Sequence, residues 1–199
     1  GRRVAFVVTS VDTAENLNNP DLWIAEPATG RCWQLTRHPK PDVSPTFSPS
    51  GDTLAFIGTR GSGEEAKPAI YMLPLHGGEP WPFGAYDEAV GEVEWSPDGR
   101  YLAFTMTDTL PKQIREWRKK KWDPVIEDQR LQYTHLWLIE VATAKRTRLT
   151  AGEFMVSSIH WSPDSRQIAF VTNPTGKPDD GNLSDFGIVS VNGGPVRTL

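Results

Sequence analysis

The sequence predicts an all-β fold: a β-propeller of four-stranded antiparallel blades, its ring incomplete, with one short helical insertion. Three observations carry this. The Ala-Phe dipeptide recurs in Val4-Ala5-Phe6, Leu54-Ala55-Phe56, Leu102-Ala103-Phe104 and Ile168-Ala169-Phe170, at intervals of 50, 48 and 66 residues. Three of these copies follow a turn, written Phe47-Ser48-Pro49-Ser50-Gly51, Trp95-Ser96-Pro97-Asp98-Gly99 and Trp161-Ser162-Pro163-Asp164-Ser165. The segments between are short apolar runs separated by turn residues, and a period of this length built from short strands indicates a propeller rather than a helical solenoid.

The first strand of each unit ends at the aromatic residue before the turn. In Ser96-Pro97-Asp98-Gly99, Pro stands at the second turn position and Gly at the fourth, a combination that reverses the chain. Ser165 takes the place of Gly, and a positive φ there costs on the order of 1 kcal/mol. In the return strand, alternation puts Leu102 and Phe104 on one face and Ala103 on the other, where a small side chain admits a neighbouring blade.

Third strands follow as Asp21 to Ala25, Ala69 to Leu73, His135 to Ile139 and Phe186 to Ser190, each rich in β-branched or aromatic residues. Turns at Ala28-Thr29-Gly30, His76-Gly77-Gly78, Ala142-Thr143-Ala144 and Asn192-Gly193-Gly194 lead to fourth strands over Cys32–Thr36, Glu79–Phe83, Thr147–Thr150 and Val196–Leu199. The units are a partial blade at 1–42, blades at 43–90 and 156–199, and a blade with an insertion at 91–155. The partial blade lacks its inner strand. Open blade faces expose apolar surface, so the segment is expected to belong to a longer protein.

The long unit exceeds its predecessor by about 18 residues, and the excess falls between its second and third strands. Thr109-Leu110-Pro111 reads as a helix start and Asp123-Pro124 as a stop, predicting a short helix over Lys112 to Trp122.

With 199 residues and 38% hydrophobic content the chain can bury a real core. Its 21 basic and 25 acidic residues give a net charge of -4, which argues against a general nucleic-acid binder. One cysteine, Cys32, allows no internal disulfide, and a reducing compartment, the cytoplasm, suits it. No apolar run reaches the roughly 18 residues that a membrane-spanning helix needs.

No Gly-x-Ser-x-Gly motif, Walker loop, zinc spacing or dinucleotide fingerprint occurs, so no catalytic residue, metal or cofactor is assigned. Gly61-Ser62-Gly63 reads as a loop tip. The four histidines, His38, His76, His135 and His160, are dispersed without metal spacing. The insertion interleaves Lys112, Arg115, Arg118, Lys119, Lys120 and Lys121 with Trp117 and Trp122, a mixture able to hold a carboxylate or a peptide. A solvated helix packed through Ile114 and Trp117 would carry the same residues. Glu64 and Glu65, paired in one loop, and Glu116 are candidates for a free amino terminus, although exposed glutamates are commonly just solvated. The candidate substrate-binding set is therefore Glu64, Glu65, Arg115, Glu116, Trp117, Arg118 and Trp122.

The stretch from Trp95 to Phe104, with His135 to Thr143 and Arg148-Leu149-Thr150, resembles the propeller repeats of TolB-like proteins and of the prolyl oligopeptidase family of serine peptidases. The long unit, with Trp122 to Leu131 running into His135-Leu136-Trp137, is similar to the long blade of acylaminoacyl-peptidase and dipeptidyl-peptidase members. That resemblance implies a propeller capping an α/β-hydrolase domain that lies outside these residues and carries the Ser, Asp and His triad. The propeller then narrows access to short peptides and helps orient the substrate's amino end, and association of several copies is compatible with it. The alternative is a non-enzymatic TolB-like propeller that presents a face to a protein partner. A third reading, an enzyme with its site in the central channel, lacks any cluster of catalytic residues in the sequence.

Overall fold

The computed structural model describes residues 2–12, 17–61, 66–120, 132–175 and 182–198, and within them the side chains of all but residues 12, 17, 118 and 119. They form four antiparallel sheets in chain order. The first has three strands, β1 (Val4–Asp12), β2 (Leu17–Glu26) and β3 (Arg31–Gln34). The second contains β4 (Asp42–Phe47), β5 (Thr53–Thr59), β6 (Pro68–Pro74) and β7 (Trp81–Pro82). The third contains β8 (Val90–Trp95), β9 (Tyr101–Thr107), β10 (Thr134–Glu140) and β11 (Arg146–Arg148), with helix α1 (Lys112–Lys119) between β9 and β10. The fourth contains β12 (Met155–Trp161), β13 (Gln167–Asn173), β14 (Asp185–Ser190) and β15 (Arg197–Thr198). Each sheet is a meander in which every strand pairs with its sequence neighbour. The innermost strands β4, β8 and β12 approach one another while the outermost strands do not, the fanned arrangement of propeller blades.

The turn that ends each first strand is built by its own side chains. Ser96 Oγ donates to Asp98 Oδ1 at 2.6 Å and accepts the Tyr101 N–H at 2.9 Å, while Gly99 N–H closes the turn onto Ser96 O at 2.9 Å. Ser162 and Asp164 repeat this geometry. In the second sheet Ser50 stands where the others have Asp, and Asp52 supplies the carboxylate, 3.1 Å from Ser48 Oγ. Gly51 and Gly99 have φ of 73° and 74°, and Ser165 follows at 60° as expected from the sequence.

Alternation in the return strands decides how the blades stack. Leu102 and Phe104 join a buried cluster with Ala55, Ile57, Ile70 and Met72 of the preceding sheet, whereas Ala103 joins Val156, Ile159, Ile168 and Phe170 of the following one. Each innermost strand carries an irregularity in register, between Val43 and Thr46, Val90 and Val93, and Ser157 and His160. Ser44 and Ser158 sit within them at φ of 54° and 51°.

The four outermost strands differ in extent from those expected of the sequence. The fourth strands are shorter: β7 pairs only through Trp81 and Pro82, because Pro80 and Pro82 offer no ladder donor. β15 is likewise reduced to Arg197 and Thr198, after a turn with Gly193 and Gly194 at φ of 81° and 115°. Helix α1 begins where Pro111 predicts, with Arg115 N–H donating to Pro111 O at 3.1 Å. The expected stop at Asp123-Pro124 lies outside the described residues.

The outward faces of the two end sheets are apolar. Val4 is 50% exposed, whereas its counterparts Leu54, Leu102 and Ile168 are fully buried. Phe186 is 62% exposed, whereas Leu22, Ile70 and Leu136 at the same third-strand position are fully buried. The four sheets are thus an arc whose two ends show surfaces of the kind that its interior joints cover.

Candidate functional site on the loop edge

Strand direction alternates within each sheet, so all connections between second and third strands emerge at one edge of the arc. The sequence-predicted site residues belong to two of these connections. Glu64, Glu65 and Trp122 lie outside the described residues, and Arg118 is placed in α1 without its side chain. Arg115 and Glu116 are exposed on α1, and Ile114 and Trp117 are half-buried. Glu116 stands 3.9 Å from Lys112 in an open i,i+4 pair, a contact of small energetic weight. The insertion that carries α1 is held at its root, where the chain leaves and rejoins the third sheet.

That root is a charge cluster. Asp108 N–H donates to Tyr133 O at 2.7 Å, closing the neck of the insertion, and Gln132 Nε2 donates to Asp108 O at 2.8 Å. The Asp108 carboxylate lies 3.1 Å from Arg148 Nη2 and 3.4 Å from His135 Nε2. Behind it, Leu136 N–H donates to Thr150 Oγ1 at 2.9 Å, and His135 Nδ1 lies 3.2 Å from the same hydroxyl. Burial, and after it the Arg148 guanidinium, holds the imidazole below its ordinary range against the pull of Asp108.

Thr150, His135 and Asp108 have the residue types of a nucleophile relay, but their placement rules out that use. His135 is fully buried and Thr150 nearly so. The first sheet repeats the arrangement without a histidine: Leu22 N–H donates to Thr36 Oγ1 at 3.0 Å, with Asp21 in the place of His135. The threonine is a tie between third and fourth strands.

The second sheet roots its connection differently. Arg60, at the repeat position of Asp108, makes a two-pronged pair with Asp42 at 2.6 and 3.0 Å. Asp42 is fully buried, and the guanidinium lies 4.9 Å from the Tyr71 ring centre. Gly58 makes room, since a Cβ there would stand 2.7 Å from Asp42 Oδ1. Arg60 draws its connection toward the innermost strand, whereas Asp108 draws the insertion toward the third and fourth.

The innermost strands bring together a polar group that the sequence reading missed. Both Glu92 carboxylate oxygens accept backbone N–H groups of the next sheet, from Ser158 at 3.1 Å and Ile159 at 3.2 Å. Glu94 Oε2 lies 3.7 Å from His160 Nδ1, and Trp161 Nε1 donates to Glu94 O at 3.2 Å. Burial pushes the Glu94 carboxyl up, with His160 pulling the other way. The available signal was the repeat itself, since Thr46, Glu94 and His160 stand one residue before the aromatic of their turns.

Among the described residues no group of three or more His, Cys, Asp or Glu side chains could hold a metal ion, and no helix is long and apolar enough to cross a membrane.

No protein-family model matches the chain. In sequence it is similar to the uncharacterized peptidase YuxL of Bacillus subtilis, 28% identical over 203 residues, covering 95% of this chain and 30% of that protein. The chain therefore spans about a third of the length of that relative. In structure it is similar to TolB from Acinetobacter baumannii, with a TM-score of 0.68 and 21% identity over 100% of this chain and 40% of that one. The fold is that of the TolB-like and peptidase propellers. Acylaminoacyl peptidase from Pyrococcus horikoshii is similar over 100% of this chain and 31% of its own, with a TM-score of 0.65 and 16% identity.

Proposed function

We propose that the chain is the propeller segment of a serine peptidase of the prolyl oligopeptidase type, acting on short peptides by acylaminoacyl or dipeptidyl release. Bond breaking belongs to a separate α/β-hydrolase domain of the same protein. The propeller limits access and helps to orient the substrate's amino end. One observation carries this reading: the similarity to the Bacillus peptidase runs through nearly the whole chain yet occupies under a third of that protein. The insertion rooted between the second and third strands of its sheet supports it. Glu64, Glu65 and Glu116 are the proposed partners of a substrate ammonium, and Arg115, Trp117, Arg118 and Trp122 of its carbonyl or carboxylate groups.

The test is to express the longest open reading frame containing these residues and assay acyl-aminoacyl and dipeptidyl chromogenic substrates beside the 199-residue chain alone. The expected result is turnover by the longer protein, abolished by a serine-directed phosphonate, and none by the chain. A frame that encodes no hydrolase domain, or turnover by the isolated chain, overturns it. The likeness to TolB favours the second reading, a scaffold that binds a protein partner, and the first of those outcomes selects it.

A further inference from the structure

The joints between successive sheets are built differently at their channel ends. Between the third and fourth sheets four hydrogen bonds fix the register. Glu92 receives the Ser158 and Ile159 N–H groups, Trp161 Nε1 reaches Glu94 O, and Ser165 Oγ accepts the Asp98 N–H at 3.0 Å. Between the second and third sheets the same repeat positions hold Ser44, Trp95 and Gly99. Among the described residues none of these makes a hydrogen bond across that joint. Trp95 Nε1 is buried without a partner, and Gly99 meets only the Pro49 ring, 3.6 Å from where a Cβ would stand. Apolar packing of similar extent holds both joints.

At the rim the second joint is firmly tied. The connector from β7 to β8 is held to the second sheet by Lys67, whose Nζ lies 2.6 Å from both Glu88 Oε2 and Asp87 O. Arg146 of the third sheet reaches Asp87 Oδ2 at 3.2 Å. The Tyr86 ring meets Phe104 edge-on at 5.3 Å, and its hydroxyl donates to Phe83 O at 2.7 Å. A Cβ on Gly84 would stand 2.7 Å from Ile139 Cδ1, so the connector lies flush on the third sheet.

Apolar burial is non-directional and lets packed surfaces slide, whereas hydrogen bonds of defined geometry resist sliding. We propose that the arc is hinged between its second and third sheets. The connector at the rim is the pivot, and the third and fourth sheets move as one body, so the gap between β4 and β8 widens and narrows at the channel. Access along the innermost strands is then adjusted at this joint. The hinge is independent of the peptidase reading, because every contact that defines it lies in this chain.

The experiment measures distances between spin labels. His76, Ala142 and Asn192 are exposed and occupy the same position in the turn after the third strand of the second, third and fourth sheets. On a Cys32→Ser background, cysteine pairs at 76 and 142 and at 142 and 192 report the two joints by double electron–electron resonance. The expected distribution for 76 and 142 is about twofold broader than that for 142 and 192. Removing the fourth-sheet latch with Glu92→Ala, or with Ser165→Gly should that variant fold better, broadens the 142 and 192 distribution toward the other. Equal widths in the unlatched and latched joints, or no broadening on removal of the latch, overturns the proposal.

Discussion

Ser165 Oγ accepts the backbone N–H of Asp98 at 3.0 Å, so the one turn without the repeat's glycine is also the one that grips its neighbour's turn through a side chain. Ser165 holds φ of 60°, a conformation costing on the order of 1 kcal/mol relative to Gly, and the hydrogen bond returns about the same. Ser165→Ala keeps the strain and loses the bond, and is expected to destabilise by about 1 kcal/mol. Ser165→Gly loses both and should lie within about 0.5 kcal/mol of the parent. Denaturant midpoints separate the two, and an alanine variant as stable as the parent would show that the contact contributes nothing.

The Asp42 and Arg60 pair makes a larger demand. Arg60→Ala strands a fully buried carboxylate and is expected to cost about 3 kcal/mol or more. Val90 and Val156 occupy the position of Asp42 in the next two sheets. The double variant Asp42→Val with Arg60→Met should therefore recover most of that loss, since apolar replacement of a buried pair is often neutral. A double variant no more stable than Arg60→Ala, measured by urea unfolding, would contradict the assignment.

The repeat was legible in the sequence because its signals are local. Ser96, Pro97 and Gly99 specify the turn, and the alternation of Leu102, Ala103 and Phe104 assigns two opposite faces to successive blade joints. The site was less legible because its members come from separate strands. Asp108, His135 and Arg148 meet only when β9, β10 and β11 pair, although the match of Asp21 and Thr36 to His135 and Thr150 carried part of that information. Glu92 was hidden by the irregular register of the innermost strands. Simple alternation does not predict that its carboxylate crosses to a neighbour's backbone, and Ser158 at φ of 51° is what turns those N–H groups toward it.

Exposure at the fourth sheet gives a comparison within one molecule. Phe186 and Leu136 share a repeat position, but the first is mostly exposed and the second fully buried. Leu136→Ala is expected to cost about 2 to 5 kcal/mol. Phe186→Ala in the 199-residue chain should change stability by less than about 1 kcal/mol. Parallel urea titrations test the pair, and a Phe186→Ala loss as large as that of Leu136→Ala would mean that the face is covered in solution.

Acid should weaken the third sheet through His135. Its native pKa lies below the unfolded value of 6.5, so near and below that pH the unfolded chain binds a proton that the buried imidazole refuses. Stability therefore falls as pH drops through 6.5, at a limiting slope of about 1.4 kcal/mol per pH unit, until the native imidazole also protonates. Glu94 works in the opposite sense: its native pKa is raised above 4.5, so its ionisation lowers stability as pH rises from that value. Glu94→Gln removes that contribution and leaves the histidine's. On this background the expected denaturant midpoint declines between pH 7 and 5, and adding His135→Gln flattens the decline. A decline unchanged by His135→Gln would place the acid sensitivity in another group.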